Sequence, residues 1–330
     1  MKRSRFVLAA LGIALSAAAV IVLLKQVSAK ELAQNLGRAN PMWLVAACVL
    51  TVAAYWLRAW RWGEILAPEA KVPTGRLFAT TMVGFLAINT LPARLGELVR
   101  AYALARSERI RTATVLGSVA IERIFDLAAL VAFWALSLLF APYPAWFRWS
   151  GYVTLGLSAA VTAALWLLHA GHYDTNSLAA RLRRLAPARL MAPLERPVAS
   201  FSAGLRVLGR PSTIAFAGLI TLIMWLVSGA IFVVVGFSMG LKLPLWSPLL
   251  LSFVVCVAIM VPSSPGFIGV LEASCVAGLS LLGVDASRGL AFGVLYHITQ
   301  LAPLVLVGGF YALRGRGWSA GLKDLDRGRE

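Results

Sequence analysis

Four polar constellations interrupt this chain's apolar sequence, where charge is costly and has to be matched. The first is Asn89, Pro92, Arg94, Gly96, Glu97 and Arg100. If a helix starts after Pro92, then Arg94, Glu97 and Arg100 fall at i, i+3 spacings on one stripe. A carboxylate between two guanidiniums holds them in place and limits their repulsion. Their spare N–H donors then suit a phosphate, gripped bidentately. The helix N-terminus adds positive partial charge for an anion. The competing reading is an interfacial amphipathic helix whose charges are solvated.

The second is Glu122, Arg123 and Asp126 inside an apolar run. The two acids share a helix face, and Arg123 can pair with either. One acid is left over, to be satisfied by a proton or a cationic headgroup. Alternatively the group is a buried clamp that pins this run to the first constellation. The third is Pro262, Pro265, Gly266, Gly269 and Glu272. Two prolines and two glycines break a helix and free backbone groups. Glu272 is then a partner for Arg94, Arg100 or Arg123, a proton carrier, or a local helix cap. The fourth is His297 and Gln300, whose polar side chains can face one cavity or simply pack, followed by Pro303, which is expected to break or hinge the helix. His169 and His172 have no third ligand nearby. No P-loop and no HExxH motif occurs, so neither a metal nor a cofactor is expected.

The elements that must position these residues follow from composition. Of 330 residues, 60% are hydrophobic and 14% charged, with mean hydropathy +0.80. That excludes a soluble enzyme, a disordered chain and a disulfide scaffold. It implies an all-α polytopic membrane protein, with residues 1–330 as a single membrane domain. The net charge of +17 would suggest nucleic acid on a soluble protein. Here it fits cytoplasmic loops facing anionic lipid. Six apolar stretches can span: 6–24, 42–57, 113–140, 152–169, 212–239 and 289–313. Two others, 77–91 and 247–282, run into the proline–glycine breaks and predict re-entrant or broken hairpins. Irregular backbone at membrane depth survives only when buried in protein or lining a cavity.

With the first hairpin entering from the cytoplasm, 24 Lys/Arg fall inside and 6 outside, and both termini are cytoplasmic. Residues 2–29 also resemble a cleavable secretory signal, but the apolar run is long for one, which favours a retained anchor. The order span, span, hairpin, span then repeats from the opposite side, which predicts an inverted-topology repeat with halves 1–150 and 151–313. A loop at 170–211 carries seven arginines, and a basic tail covers 314–330. Trp43, Trp56, Trp60, Trp62, Trp146, Trp149 and Trp246 fit interfacial anchors. Cys48, Cys256 and Cys275 read as packing residues.

Taken in order, Asn89 through Arg100, then Glu122, Arg123 and Asp126, then Pro265 through Glu272, then His297, Gln300, Pro303 and Gly308 resemble the lysylphosphatidylglycerol synthase transmembrane-region family. It is also called the flippase-like or UPF0104 family. The resemblance runs from about residue 10 to 313. It implies a polytopic lipid-handling protein of the bacterial inner membrane. In multiple-peptide-resistance-factor proteins such a domain moves aminoacylated phosphatidylglycerol, and a soluble domain makes that lipid. The chain ends at Glu330 without one, so synthase activity is not implied and no enzyme is expected.

The expected function is therefore movement of an anionic lipid, either a phospholipid or a polyprenyl-phosphate-linked substrate. Arg94, Arg100 and Arg123 would bind the phosphate. Glu97, Glu122, Asp126 and Glu272 would orient them or carry a proton. A second expectation is a non-transporting accessory subunit of a lipid- or glycan-modifying enzyme, recruited through the 170–211 loop. Catalysis on a lipid phosphate is a third, weakened because no nucleophile or metal set accompanies the acids.

Overall fold

The computed structural model describes residues 16–21, 27–90, 96–169, 210–261 and 263–314. Pro92, Arg94, Pro262, most of the 6–24 stretch, nearly all of the 170–211 loop and the tail from 315 lie outside the described residues. The rest is helical, with no strand among the described residues. After a helical stretch at 16–21 come α1 (Ala29–Gly37), α2 (Pro41–Leu66), α3 (Thr74–Thr90), α4 (Gly96–Ser107), α5 (Thr112–Ser137) and α6 (Ala145–His169). Then follow α7 (Pro211–Ser238), α8 (Ser247–Met260), a 3₁₀ turn at Pro265–Phe267, α9 (Val270–Ser280) and α10 (Ala286–Pro303). α10 runs on through a π turn at Leu304–Gly308 into α11 (Gly309–Arg314).

Local chemistry sets the helix starts. Asn40 caps α2 by accepting from the Met42 N–H at 2.9 Å, with Pro41 at the first position. Asp285 caps α10 through the Arg288 N–H at 3.0 Å. Pro211 opens α7. Among the described residues three helices are long and apolar enough to cross a membrane: Pro41–Leu66, Pro211–Ser238 and the joined Ala286–Arg314. α5 and α6 have 26 and 25 residues, and α5 carries the charged triplet Glu122, Arg123 and Asp126. Large apolar side chains such as Val45, Val49, Leu219, Leu226 and Leu306 point outward. That surface suits lipid, which asks no hydrophobic burial of a helix's outer face.

Both broken segments are helical hairpins. Arg76 pairs with Glu108 at 3.0 Å, a Cβ on Gly84 would lie 2.6 Å from Arg100 Cβ, and Gly96 packs on the Ile88 backbone. Each contact steps back along one arm as it steps forward along the other, so α3 and α4 are antiparallel. At 1.5 Å per residue, their 17 and 12 residues reach about 25 and 18 Å, short of the ~30 Å hydrocarbon core. α8 and α9 form the second hairpin, with Gly278 against Leu251 and Val254. Its tip holds three left-handed residues, Gly266 (φ 73°), Phe267 (φ 59°) and Gly269 (φ 84°). The two tips meet, because a Cβ on Gly266 would lie 3.6 Å from the Asn89 carbonyl.

Gly96 is a close-packing position. A Cβ there would collide with the Ile88 amide and stand 2.6 Å from the Gly84 carbonyl. Backbone cannot yield as a side chain can. We expect Gly96→Ala to lower unfolding free energy by about 1–3 kcal/mol. Gly75→Ala, with open space around it, should change stability by no more than ~0.5 kcal/mol or raise it. Thermal melts in detergent compare the two.

Three expectations need correcting. The second apolar run does not end at 57, since α2 continues to Leu66 and takes Arg58 and Arg61 out of the inner loop. Trp62 is fully buried rather than interfacial, and its indole N–H donates to Ser118 Oγ at 3.0 Å. Pro303 does not break its helix. The chain absorbs the lost donor by widening into the π turn, after which Gly308 approaches the Met82 carbonyl.

Candidate functional site

α2 places Arg58 and Arg61 at i, i+3 spacing, on the face that meets α5 and α7. Arg61 Nη1 donates to Asp126 Oδ1 at 2.8 Å and to Thr221 Oγ1 at 3.0 Å. Arg58 Nη1 donates to Asp126 Oδ2 at 3.2 Å. Arg123 Nη2 reaches the same carboxylate at 3.3 Å, and its Nη1 stands 3.7 Å from Glu97. Arg100, on the return arm of the first hairpin, donates to Glu122. Arg61 Nη2 is 3.6 Å from that acid's other oxygen. Among the described residues four guanidiniums thus surround three carboxylates, leaving one positive charge over.

Arg61, Arg100 and Glu122 are almost wholly buried. Arg100 lies over the Trp62 ring at 4.1 Å, a contact that suits a weakly hydrated guanidinium. Even so, Arg61 Nε and Nη2, Arg100 Nε and Nη1, and Arg123 Nε find no hydrogen-bond partner among the described residues. The cluster therefore has an excess of buried donors as well as an excess of charge.

A cavity of about 620 Å³ opens beside this cluster, between the two hairpin tips. Its lining combines polar side chains, Arg58, Arg123, Asp126, Glu97, His297 and Gln300, with apolar ones such as Leu130, Val161, Trp225, Ile259, Met260 and Leu271. Such a space offers partners for both a charged headgroup and a hydrocarbon chain. Its size is typical of ligand sites.

Of the residues singled out in sequence, Asn89, Glu97, Arg123, Asp126, His297 and Gln300 line this cavity. Arg100 and Glu122 sit behind it as a buried pair joining the first hairpin to α5. Asn89 Nδ2 donates to the Phe85 carbonyl of its own helix at 2.9 Å, and Gln300 Nε2 donates to Thr51 Oγ1 at 3.3 Å. Glu272 meets none of the described arginines. Its Oε2 accepts from the Gly269 N–H, capping α9, and its Oε1 meets His297 Nδ1, both at 2.6 Å. Arg123 pairs with Asp126 and Glu97, not with Glu122.

Arg58 and Arg61 escaped the sequence reading. Basic residues after an apolar run look like an inner loop, and only the continued helical period of Ala59, Trp62, Ile65 and Leu66 hints otherwise. Gly236, Phe237, Ser238, Met239 and Gly240 also have the spacing of a nucleophile elbow. Ser238, however, ends an α-helix, and its buried hydroxyl donates to the Val235 carbonyl at 2.7 Å. Among the described residues no group of His, Cys, Asp and Glu could hold a metal ion.

Comparison with known proteins gives three matches. The family model for the lysylphosphatidylglycerol synthase TM region matches residues 9–308. Glycosyltransferase AglD of Haloferax volcanii is 26% identical over 90% of this chain, but the chain spans only 53% of that protein. UPF0104 membrane protein MJ1078 of Methanocaldococcus jannaschii is 23% identical over 67% of this chain and 91% of its own length. No solved structure matches. The family match covers most of the chain, which therefore belongs to the lysylphosphatidylglycerol synthase TM-region family.

Proposed function

We propose that this family member binds the phosphate of an anionic lipid in the inter-hairpin cavity and carries that lipid across the bilayer, without catalysis. The observation that carries the reading is a cavity lined by the Arg58 and Arg123 guanidiniums together with many apolar side chains, backed by a cluster with one positive charge over among the described residues. Buried cations without full partners are costly unless a ligand or a function requires them. A phosphate oxygen would give Arg123 Nε an acceptor and Arg58 a second anionic partner, and the apolar lining suits an acyl or prenyl chain.

The packing supports alternating access by two inverted halves. Trp43 meets Phe237 and Trp60 meets Phe216, so α2 and α7 run antiparallel. The first arm of each hairpin packs on the last long helix of the other half, through Phe78–Tyr311 and Trp134–Phe253. The return arm of each is tied to its own last helix by a buried pair, Arg100–Glu122 or Glu272–His297. We read six spans, two hairpins entering from opposite faces, cytoplasmic termini and a bacterial inner-membrane location. In such an arrangement the two halves rock about a fixed central site.

Purified protein in proteoliposomes tests this. Phosphatidylglycerol, lysyl-phosphatidylglycerol and a polyprenyl phosphate are offered in parallel, with phosphatidylcholine as control. Selective movement of one anionic lipid is expected. Movement of none, with or without a proton gradient, rejects transport.

One observation favours a second reading. The chain spans about half of a relative whose name is glycosyltransferase, so a non-transporting partner of a glycan- or lipid-modifying enzyme is the alternative. Co-purification of such an enzyme through high salt, with no lipid movement, would select it.

A further inference from the structure

The phosphate reading uses the arginine cluster and leaves one buried ionisable pair unexplained. Glu272 is fixed at both oxygens, by the Gly269 N–H and by His297 Nδ1. Gly293 permits this, since a Cβ there would stand 3.0 Å from Glu272 Cα. Thr51 and Gln300 tie the same part of α10 to α2. His297 is 9% exposed, lines the cavity, and its Nε2 has no hydrogen-bond partner among the described residues. With Nδ1 turned to a carboxylate, the neutral ring carries its hydrogen there and presents a bare lone pair at Nε2. A proton arriving at Nε2 converts the pair from net −1 to a neutral ion pair.

The surrounding charges give that step a direction. Sharing the cavity with His297 are Tyr55 and Arg58 from α2, Glu97 from α4, Arg123 and Asp126 from α5, Cys256 from α8 and Tyr296 from its own helix. Glu272, with Cys275 one turn further, comes from α9. Among the described residues, α3 and α7 bring no ionisable side chain to the cavity. Among the described residues the arginine cluster sums to +1 and Glu272 contributes −1, so with His297 neutral these charges balance. A lipid phosphodiester adds −1. Uncompensated charge away from water is expensive, and one proton on His297 restores the balance.

We propose that the Glu272–His297 pair is a proton site linked to headgroup occupancy, so that anionic lipid and a proton enter the cavity together. This rests on the phosphate-binding reading above. Linkage is reciprocal, so lipid binding draws in a proton and proton loss weakens lipid binding. It also gives the second hairpin two states, because the proton changes the bond that ties α9 to α10.

The test is calorimetric titration of the full chain in detergent with dihexanoyl phosphatidylglycerol, in two buffers of different ionisation enthalpy. The phosphodiester does not titrate near neutrality, so protons taken up belong to the protein. At about pH 7 we expect net proton uptake on binding. Affinity should fall by up to ~tenfold per pH unit above neutrality. His297→Gln should abolish uptake and flatten the pH dependence, whatever its affinity. Binding by wild type without uptake, or uptake that persists in a folded His297→Gln protein, overturns the proton site and leaves the cavity reading standing. The wild-type measurement decides even if the variant fails to fold. No binding at all overturns both.

Discussion

Arg58→Ala is expected to slow lipid movement in proteoliposomes by at least ~30-fold. Arg58 lines the cavity and is 15% exposed at its side chain, so a lipid phosphate bound there would meet its guanidinium with little competing water. Truncating one partner of a desolvated, hydrogen-bonded charge pair costs about 2–5 kcal/mol, and 2 kcal/mol is already about thirtyfold. The protein should remain folded, because Asp126 keeps Arg61 and Arg123 as partners. Arg58→Lys should recover only part of the rate, since an ammonium lacks the planar fork that grips two phosphate oxygens. Initial rates at equal protein per vesicle make the comparison. Wild-type movement by Arg58→Ala would remove this residue from the phosphate site and with it the main support for the cavity's polarity.

Glu122→Ala should instead damage the fold. Glu122 is fully buried between Arg100 and Arg61, and both guanidiniums already carry unpaired donors. Removing the acid strands Arg100 and leaves Arg61 only its Asp126 pair, a loss of about 3–5 kcal/mol. The expected result is a large drop in the thermal midpoint in detergent, with the first hairpin loosened from α5. Joint replacement, Arg100→Met with Glu122→Leu, should restore much of that loss by exchanging charge for apolar packing of similar volume. Glu97→Ala is the contrast, because its pair with Arg123 is long and partly open; it should cost less than ~1 kcal/mol. A Glu122→Ala protein that melts with wild type would show the buried pair to be energetically idle.

The two outcomes separate roles that sequence alone runs together. Arg94, Glu97 and Arg100 look like one stripe when written out, as do Glu122, Arg123 and Asp126. In three dimensions each group divides. Arg123, Asp126 and Glu97 face the cavity, whereas Arg100 and Glu122 are turned behind it into the contact between hairpin and helix.

Sequence by itself determined the membrane class, the two broken segments and a charged triplet within a long helix. Those are local properties. Hydropathy is summed along the chain, and proline or left-handed glycine acts on its own few residues, as at Pro265, Gly266 and Gly269. Tertiary structure decided the partners. Asp126 draws Arg58 and Arg61 from 68 and 65 residues away, and Glu272 finds His297 rather than an arginine. Whether α2 stops at 57 or runs to Leu66 depends on α5 and α7 offering Asp126 and Thr221 to a guanidinium that would otherwise seek water. Which donor meets which acid is set by how the helices pack, and no spacing along one helix encodes the position of the next.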